Sequence, residues 1–280
     1  MVREAASRAV GEDVGPLDVT SRIAIPAEYR AVAFLKAKET CVVAGMEVAE
    51  AVFREVDGSL QWLPKVRDGE RVDSGCVVAE VRGIARSILS GERCALNFLQ
   101  RLSGVATLTS VFVEAVKGSQ AGILDTRKTT PGLRALERQA VRAGGGVNHR
   151  NGLYDGVLIK ENHQALMAAD RLSEVIRQAR QDFPDLPLVV EADSLGLAES
   201  LLQEPVDRIL LDNMSPEDVS KVVTLRNARH PKVQLEASGG VTPEKAKALA
   251  RAGVDWISVG ALTHSAKAID FSLDIQSCPS

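Results

Sequence analysis

Charged or small polar residues end six short apolar segments in the second half of the chain. The segments read AGILDT, GVLIKE, LVVEAD, RILLDN, VQLEAS and WISVGA, and they end in or beside Asp125, Lys160, Glu191, Asp212, Ser238 and Gly260. A strand buried on both faces has little reason to end repeatedly in charge. In a barrel, however, the carboxyl ends of the strands form one rim, which is where active sites lie. The pattern therefore predicts an active site at such a rim.

The basic residues of this predicted rim favour an anionic ligand. Between Asp125 and His163 the chain has 7 Lys and Arg and 4 Asp and Glu, which gives 7 − 4 = +3 in a chain whose net charge is −3. The local cations are Arg127, Lys128, Arg150 and Lys160, with His149 among them. Arginine binds carboxylates and phosphates bidentately, and lysine acts as a point charge.

Carboxylates and glycine turns at the later strand ends complete this chemistry. Glu191 and Asp212 offer hard oxygen ligands, which beside phosphates suit Mg²⁺. Ser238-Gly239-Gly240 and Val259-Gly260-Ala261 follow the last two segments, where backbone N–H groups can bind a phosphate. The residues alone predict a barrel enzyme that acts on an anionic, phosphorylated substrate with Mg²⁺.

The elements that must position these residues alternate between apolar strands and amphipathic helices. Ser215-Pro216-Glu217 and Thr242-Pro243-Glu244 each read as a capping hydroxyl, a first-turn proline and an acid, and Gly253 suits a helix C-terminus. Continuous apolar strands separated by helices predict a parallel sheet covered by helices. Six strands fit an α/β barrel, complete or partial, better than an open sheet, and no G-x-G-x-x-G follows the first.

The first part of the chain reads differently. Residues 30–45 predict paired strands, residues 46–56 a helix, and residues 60–83 short strands broken by Asp-Gly and Ser-Gly turns. From Ala85 the apolar spacing is helical, and we interpret it as two helices with a break near Ser103-Gly104.

Composition excludes several classes of protein. The 280 residues are 45% hydrophobic and 25% charged, which is ordinary for a globular chain and argues against disorder. The slightly acidic net charge of −3 argues against general nucleic-acid binding. The 4 cysteines form no C-x-x-C pair and predict free thiols. Without a signal-like or membrane-spanning apolar run, we expect a cytoplasmic protein with no membrane partner.

Three long motifs resemble the quinolinate phosphoribosyltransferase family. They are LDTRKTTPGLR (124–134), GGGVNHRNGLYDGVLIKENH (144–163) and GERCALNFLQRLSGVAT (91–107), and the similarity extends from residue 11 onward. One departure is visible. The family usually has G-x-G-D-[VI]-T near its start, whereas residues 15–20 read GPLDVT and lack the second glycine.

The resemblance implies an α/β fold with an N-terminal open-faced α/β sandwich, residues 1–103, and a C-terminal partial α/β barrel of parallel strands, residues 104–268. A tail, residues 269–280, would return to the first domain. It implies a pentosyltransferase that makes nicotinate mononucleotide, CO₂ and pyrophosphate from quinolinate and phosphoribosyl pyrophosphate with Mg²⁺, for NAD biosynthesis. It also implies a homodimer with shared active sites, or a hexamer of dimers.

Residue roles follow from the same resemblance. Lys128, Lys160, Glu191 and Asp212 are the expected catalytic residues, and Glu191 and Asp212 the metal ligands. Arg93 would reach the neighbouring subunit's site. The expected substrate-binding set is Arg93, Thr126, Arg127, Lys128, His149, Arg150, Lys160, Glu191, Asp212, Ser238, Gly239, Gly240, Val259, Gly260, Ala261 and His264.

Two enzymatic alternatives remain open from the sequence. A paralogue of the family is associated with molybdenum loci. A Schiff-base aldolase would use Lys160, which ends a barrel strand where such lysines occur. A non-catalytic nucleotide-binding module is a third alternative, although no rim residue is missing. His163 could cap a loop instead of binding substrate.

Overall fold

A computed structural model describes residues 1–168 and 171–277. In chain order the elements are α1 (Val2–Asp13), α2 (Val19–Ala24), β1 (Arg30–Ala37), β2 (Cys41–Val42), α3 (Met46–Val56), β3 (Gln61–Pro64), β4 (Arg71–Val72), β5 (Val77–Ile84), α4 (Ala85–Ala115), β6 (Gly122–Leu124), α5 (Arg134–Ala143), β7 (Val157–Ile159), α6 (Glu161–Ala165), α7 (Leu172–Asp182), β8 (Leu188–Ala192), α8 (Leu195–Leu201), β9 (Arg208–Asp212), α9 (Pro216–Arg229), β10 (Gln234–Ser238), α10 (Pro243–Ala252), β11 (Trp256–Ser258), α11 (Ala261–His264) and β12 (Phe271–Ser277).

The chain forms two compact units, each of which is discontinuous in sequence. Unit 1 contains residues 1–110, 129–145 and 262–280, and unit 2 contains residues 111–128 and 146–261. No helix of the described ranges is both long and apolar enough to cross a membrane.

Unit 1 has a four-stranded antiparallel sheet in the order β12-β1-β5-β3. Residues of β1 alternate between buried and less buried, because one face of the sheet packs on a core and the other does not. That core includes Leu35, Phe53 and Leu96, all at most 1% exposed. The open-faced sandwich predicted for the first part of the chain is confirmed, and its edge strand β12 comes from the end of the chain.

Two local predictions for unit 1 are wrong. The strands β1 and β2 exist but do not pair with each other, since β1 pairs with β5 and β12, and β2 pairs with β4. The expected break near Ser103-Gly104 is absent, and α4 continues for 31 residues. Gly104 is required for close approach instead, because a Cβ there would overlap the carbonyl of Lys267.

Buried polar contacts explain other sequence features of unit 1. Arg101 donates through Nε to the fully buried Glu137 at 3.1 Å, which also accepts from the backbone N–H of Thr130 at 3.0 Å. Arg101 is therefore an internal ion-pair partner. Among the described residues, Cys41, Cys76 and Cys94 are free thiols, as predicted, and Cys278 lies outside the described residues.

Unit 2 has a six-stranded parallel sheet in the order β6-β11-β10-β9-β8-β7. All five residues of β8 are buried, because helices cover parallel strands and the barrel interior is packed. The strands β6 and β7 do not pair, and a single parallel bridge joins Leu124 to Val147 at this gap. The six predicted strands and the partial barrel are confirmed.

The predicted helix caps of unit 2 have the expected geometry. The hydroxyl of Ser215 accepts the backbone N–H of Asp218 at 3.1 Å, and the hydroxyl of Thr242 accepts that of Lys245 at 3.2 Å. Gly253 ends α10 at φ +99°. These caps fix where α9 and α10 begin, directly after the polar ends of β9 and β10.

Candidate active site

An ion pair joins the carboxyl ends of β7 and β8. Nζ of Lys160 lies 2.7 Å from Oε2 of Glu191, whose side chain is only 4% exposed. Burial raises the pKa of the Glu191 carboxyl, and the hydrogen bond from Lys160 opposes that shift. The neighbouring Glu161 has a lowered pKa, first because of its hydrogen bond with Glu191. The strand ends thus hold a buried carboxylate and a partly exposed cation side by side.

The end of β9 is tied to the glycine turn after β10. Oγ of Ser238 donates to Oδ1 of Asp212 at 2.5 Å, and the two residues are paired in the sheet register. Nδ2 of Asn213 donates to Oδ2 of Asp212 at 2.7 Å. Gly239 adopts φ +94°, and a Cβ there would overlap the Asn213 side chain. The Asp212 carboxylate is therefore oriented by two donors, next to a turn that only glycine fits.

A lysine supports this turn. Nζ of Lys245, in the first turn of α10, donates to the carbonyl of Gly239 at 2.6 Å. The contact places a cation beside the Ser238-Gly239-Gly240 backbone, where an anionic ligand is expected. The sequence interpretation missed Lys245, although its position just after the Thr242 cap was a usable signal.

The segment 146–156 is held against the end of β6 by a buried aspartate. Asp125 is fully buried, and it accepts the backbone N–H of His149 at 2.7 Å and Nδ2 of Asn148 at 2.6 Å. The backbone N–H of Val147 also donates to Ile123 at 2.8 Å. Asp125, predicted only as one charged strand end, therefore positions the neighbouring His149 and Arg150.

Arg127 and Arg150 are two basic residues of unit 2 that follow the ends of β6 and of the Leu124–Val147 bridge. Nη1 of Arg150 donates to the carbonyl of Gly156 at 2.9 Å. Burial lowers the pKa of the Arg150 guanidinium, and the nearby charge of Arg127 lowers it further. Two arginine side chains close enough to repel each other are stabilised by a ligand of high negative charge, such as a dicarboxylate.

His149 has both ring nitrogens engaged by this chain. Nε2 lies 3.2 Å from Oε2 of Glu236, and Nδ1 accepts the backbone N–H of Arg150 at 2.7 Å. The sequence leaves open whether Glu236 is a solvated or a structural neighbour of the site, and it is fully buried, so the solvated interpretation is wrong. Its partner Arg208 was missed because it begins a strand.

The predicted site residues divide into groups. At the strand ends Lys160 pairs with Glu191, and Ser238 pairs with Asp212. Gly260 directly follows Val259, whose backbone N–H donates to the carbonyl of Leu124 at 3.0 Å. The side chain of Lys128 is exposed, and its backbone N–H donates to the hydroxyl of Thr126 at 3.1 Å. His163 caps α6 by accepting the N–H of Lys160 at 3.0 Å. Arg93, on α4, and His264 are exposed residues of unit 1.

A cavity of about 600 Å³ lies at the opposite, amino ends of the strands. Arg208, Gln234 and Trp256, the first residues of β9, β10 and β11, line it together with His149 and Arg150. Lys160, Glu191, Asp212 and Ser238 do not line this cavity. These four residues lie instead at the carboxyl ends of the strands, where barrel active sites occur.

The carboxylates fit a metal that is only partly held by protein. Within residues 1–168 and 171–277, no cluster of three or more His, Cys, Asp or Glu side chains could hold a metal ion. Glu191 and Asp212 face the same side of the sheet, two residues apart in register. Mg²⁺ is usually bound by one or two carboxylates together with water and substrate phosphates, so this donor set suits it.

The strand-end groups of the partial barrel are a glycine turn, two carboxylates and several cations. Together with the fold they define a class of enzyme that acts on phosphorylated anions. The family models for the quinolinate phosphoribosyl transferase N-terminal and C-terminal domains match residues 18–103 and 105–274. The chain belongs to the quinolinate phosphoribosyltransferase family.

Relatives with high coverage agree with this assignment. The nicotinate-nucleotide pyrophosphorylase [carboxylating] of Mycobacterium leprae is 44% identical over 276 residues, covering 98% of this chain and 96% of that protein. A probable nicotinate-nucleotide pyrophosphorylase [carboxylating] of Bacillus subtilis is 42% identical, covering 94% and 90%. The crystal structure of NadC from Streptococcus pyogenes matches with a TM-score of 0.93 at 38% identity, covering 99% of this chain and 96% of that one.

Proposed function

We propose that this chain transfers the phosphoribosyl group of phosphoribosyl pyrophosphate to quinolinate, with decarboxylation, in de novo NAD biosynthesis. The products are nicotinate mononucleotide, CO₂ and pyrophosphate. The observation that supports this most strongly is that one unit contains both the two carboxylates with the glycine turn and the arginines Arg127 and Arg150. The first part suits a phosphorylated sugar, and the second suits a dicarboxylate.

The arginines would bind quinolinate. Each ring carboxylate needs a cationic partner, and Arg127 and Arg150 would supply two guanidinium groups, of which that of Arg150 is held by the Gly156 carbonyl. The ring nitrogen then attacks the anomeric carbon of the sugar as the bond to pyrophosphate breaks. The nitrogen becomes quaternary, and its positive charge stabilises the electron pair that stays on C2 when CO₂ departs. That pair then forms the bond from C2 to a proton.

The strand-end residues would stabilise the pyrophosphate leaving group. Lys160 presents its ammonium beside Glu191, and Lys128 is an exposed cation that would contact bound phosphates. Glu191 and Asp212 would hold Mg²⁺ or the ribose hydroxyls. Bound Mg²⁺ would neutralise the charge that develops on pyrophosphate. Ser238, Gly239, Gly240, Gly260 and Ala261 would hold the ribose 5′-phosphate through backbone N–H groups.

Family membership argues against the other functions. A Schiff-base lysine must have its amine available to a carbonyl carbon, and Nζ of Lys160 is hydrogen-bonded to Glu191 at 2.7 Å. The relatives named above are pyrophosphorylases, which favours the NAD pathway over the molybdenum-associated paralogue.

We further propose a cytoplasmic homodimer with shared active sites, which could assemble into a hexamer. Arg93 is an exposed cation on α4, so a partner chain can receive it, and the free thiols suit a reducing compartment.

Turnover tests the proposed function. Purified chain is incubated with quinolinate, phosphoribosyl pyrophosphate and Mg²⁺, and nicotinate mononucleotide is measured by liquid chromatography and mass spectrometry. Lys160→Ala is the matched control. The proposal expects product from the wild type and almost none from Lys160→Ala. Absence of product from folded wild type contradicts it.

A further inference from the structure

Glu236 lies in the barrel interior, where a carboxylate needs a specific reason to be. It is fully buried and accepts hydrogen bonds from three separate parts of the chain. Nη1 of Arg208 donates to Oε2 at 2.9 Å, Nε2 of His149 lies 3.2 Å from the same oxygen, and Oγ of Ser258 donates to Oε1. Arg208 is itself fixed, since its guanidinium lies 5.3 Å from the centre of the Trp256 ring.

The contacts of His149 select one tautomer of its imidazole ring. Nδ1 accepts the backbone N–H of Arg150 at 2.7 Å, so it carries no proton. Nε2 then carries the proton and donates a hydrogen bond to Glu236. A fixed acceptor at one ring nitrogen selects the tautomer and the ring orientation, as second-shell carboxylates do for histidine ligands.

Two acidic side chains therefore hold the same piece of backbone from opposite directions. Asp125 accepts the N–H of His149 at 2.7 Å, and the ring that Glu236 orients accepts the N–H of Arg150. The guanidinium of Arg150 extends from this fixed backbone and donates to the carbonyl of Gly156 at 2.9 Å.

We propose that Glu236 is a positioning residue for the quinolinate subsite. It holds His149 in the Nε2–H tautomer and thereby sets the backbone from which Arg150 reaches the substrate. Arg208 and Ser258 hold the Glu236 carboxylate in turn. The proposal rests on the proposed function, because it assigns Arg150 to a substrate carboxylate.

Two double variants separate this role from a general need for the buried ion pair. Glu236→Leu with Arg208→Leu removes the acceptor and leaves no buried charge alone. Glu236→Gln with Arg208→Leu also removes the ion pair but keeps an amide oxygen that can accept from His149. The contrast between the two isolates the hydrogen bond to His149.

Steady-state kinetics gives the first readout. We expect the Leu double variant to have a KM for quinolinate about 10-fold or more above that of the Gln double variant, since a buried donor loses its acceptor. The KM for phosphoribosyl pyrophosphate should be equal in both variants. Equal quinolinate KM values in two folded variants would overturn the inference, whereas a wild type that makes no product contradicts the proposed function.

Nitrogen-15 NMR of the histidine side chains gives a second readout that does not depend on activity or on the variants folding. The chain has only 4 histidines, and His149→Gln assigns the signal. In the wild type at neutral pH we expect a protonated Nε2 and an unprotonated Nδ1. A protonated Nδ1 overturns the inference, even if neither double variant folds.

Discussion

Lys160 and Glu191 form a contact whose two members differ in exposure. The carboxylate is buried and the ammonium is partly exposed, so an anionic ligand can approach the cation while the carboxylate stays in place. Asp212 is oriented similarly by the Ser238 hydroxyl at 2.5 Å. Each charged group is held by a neighbouring strand, which reduces the reorganisation needed when substrate binds.

Removal of the divalent cation should stop the reaction. We expect no turnover in excess EDTA and full recovery on addition of Mg²⁺, because Glu191 and Asp212 suit a cation shared with substrate phosphates. Asp212→Asn should raise the KM for phosphoribosyl pyrophosphate about 10-fold or more, with a smaller effect on quinolinate, since one charged ligand is lost. The exposed Asp193→Asn is the control. Full activity in excess EDTA would refute the metal requirement.

The charge of Glu236 should make stability depend on pH in one direction. Burial alone raises the pKa of Glu236, but the His149 hydrogen bond and the Arg208 charge outweigh it and lower the pKa below 4.5. A lowered carboxyl pKa stabilises the fold above the unfolded value and loses that contribution as pH falls through the folded value. The Tm difference between wild type and Glu236→Gln should therefore shrink below pH 4.5.

Thermal unfolding from pH 7 to pH 4 measures this difference. Glu199→Gln, an exposed change on α8, should show no such trend. A difference that stays constant or grows as the pH falls would contradict the assigned charge of Glu236.

Elements determine where the reactive groups meet. Strand ends were predictable from the sequence, because each apolar run stops at a polar residue and caps such as Ser215 mark the next helix. Contacts between residues distant in sequence could not be predicted in this way. Gly104 looks like a helix break in sequence but lies inside α4, where it lets the carbonyl of Lys267 approach. The buried role of Glu236 also depends on Arg208 and Ser258, which are distant in sequence.

The glycine turn after β10 gives a test at this scale. Gly239→Ala places a side chain at φ +94° against Asn213, so we expect a stability loss of about 1–3 kcal/mol and a higher KM for phosphoribosyl pyrophosphate. Gly196→Ala, on α8 with open space around it, is the matched control and should be neutral or slightly stabilising. Chemical denaturation and kinetics measure both. Wild-type behaviour of Gly239→Ala would show that the turn is not constrained.

At the scale of the whole molecule, Arg93 is a predicted substrate-binding residue that belongs to a different unit from the strand-end residues. It is exposed on α4 in unit 1, whereas the strand-end residues belong to unit 2. In a two-fold dimer, one interface would deliver Arg93 to the neighbouring site twice.

Complementation tests this arrangement. Arg93→Ala and Lys160→Ala should each be inactive and folded. Mixed in equal amounts, they should form about half hybrid dimers, each with one intact site, so about a quarter of wild-type activity should return. Native mass spectrometry confirms that hybrids form. Arg54→Ala, which removes another exposed arginine, on α3, is the control for Arg93→Ala. Hybrids without regained activity would place Arg93 in its own chain's site.

Selectivity between quinolinate and nicotinate tests the central claim most directly. Nicotinate lacks the second carboxylate, so it leaves one cationic partner unpaired and has no group to leave as CO₂. The measurement is kcat/KM for each acid with phosphoribosyl pyrophosphate and Mg²⁺, together with CO₂ released per nucleotide formed. The account predicts a preference for quinolinate of about 10- to 100-fold or more, with one CO₂ per nucleotide. Equal kcat/KM values for the two acids, or nucleotide formed from quinolinate without CO₂, would contradict it.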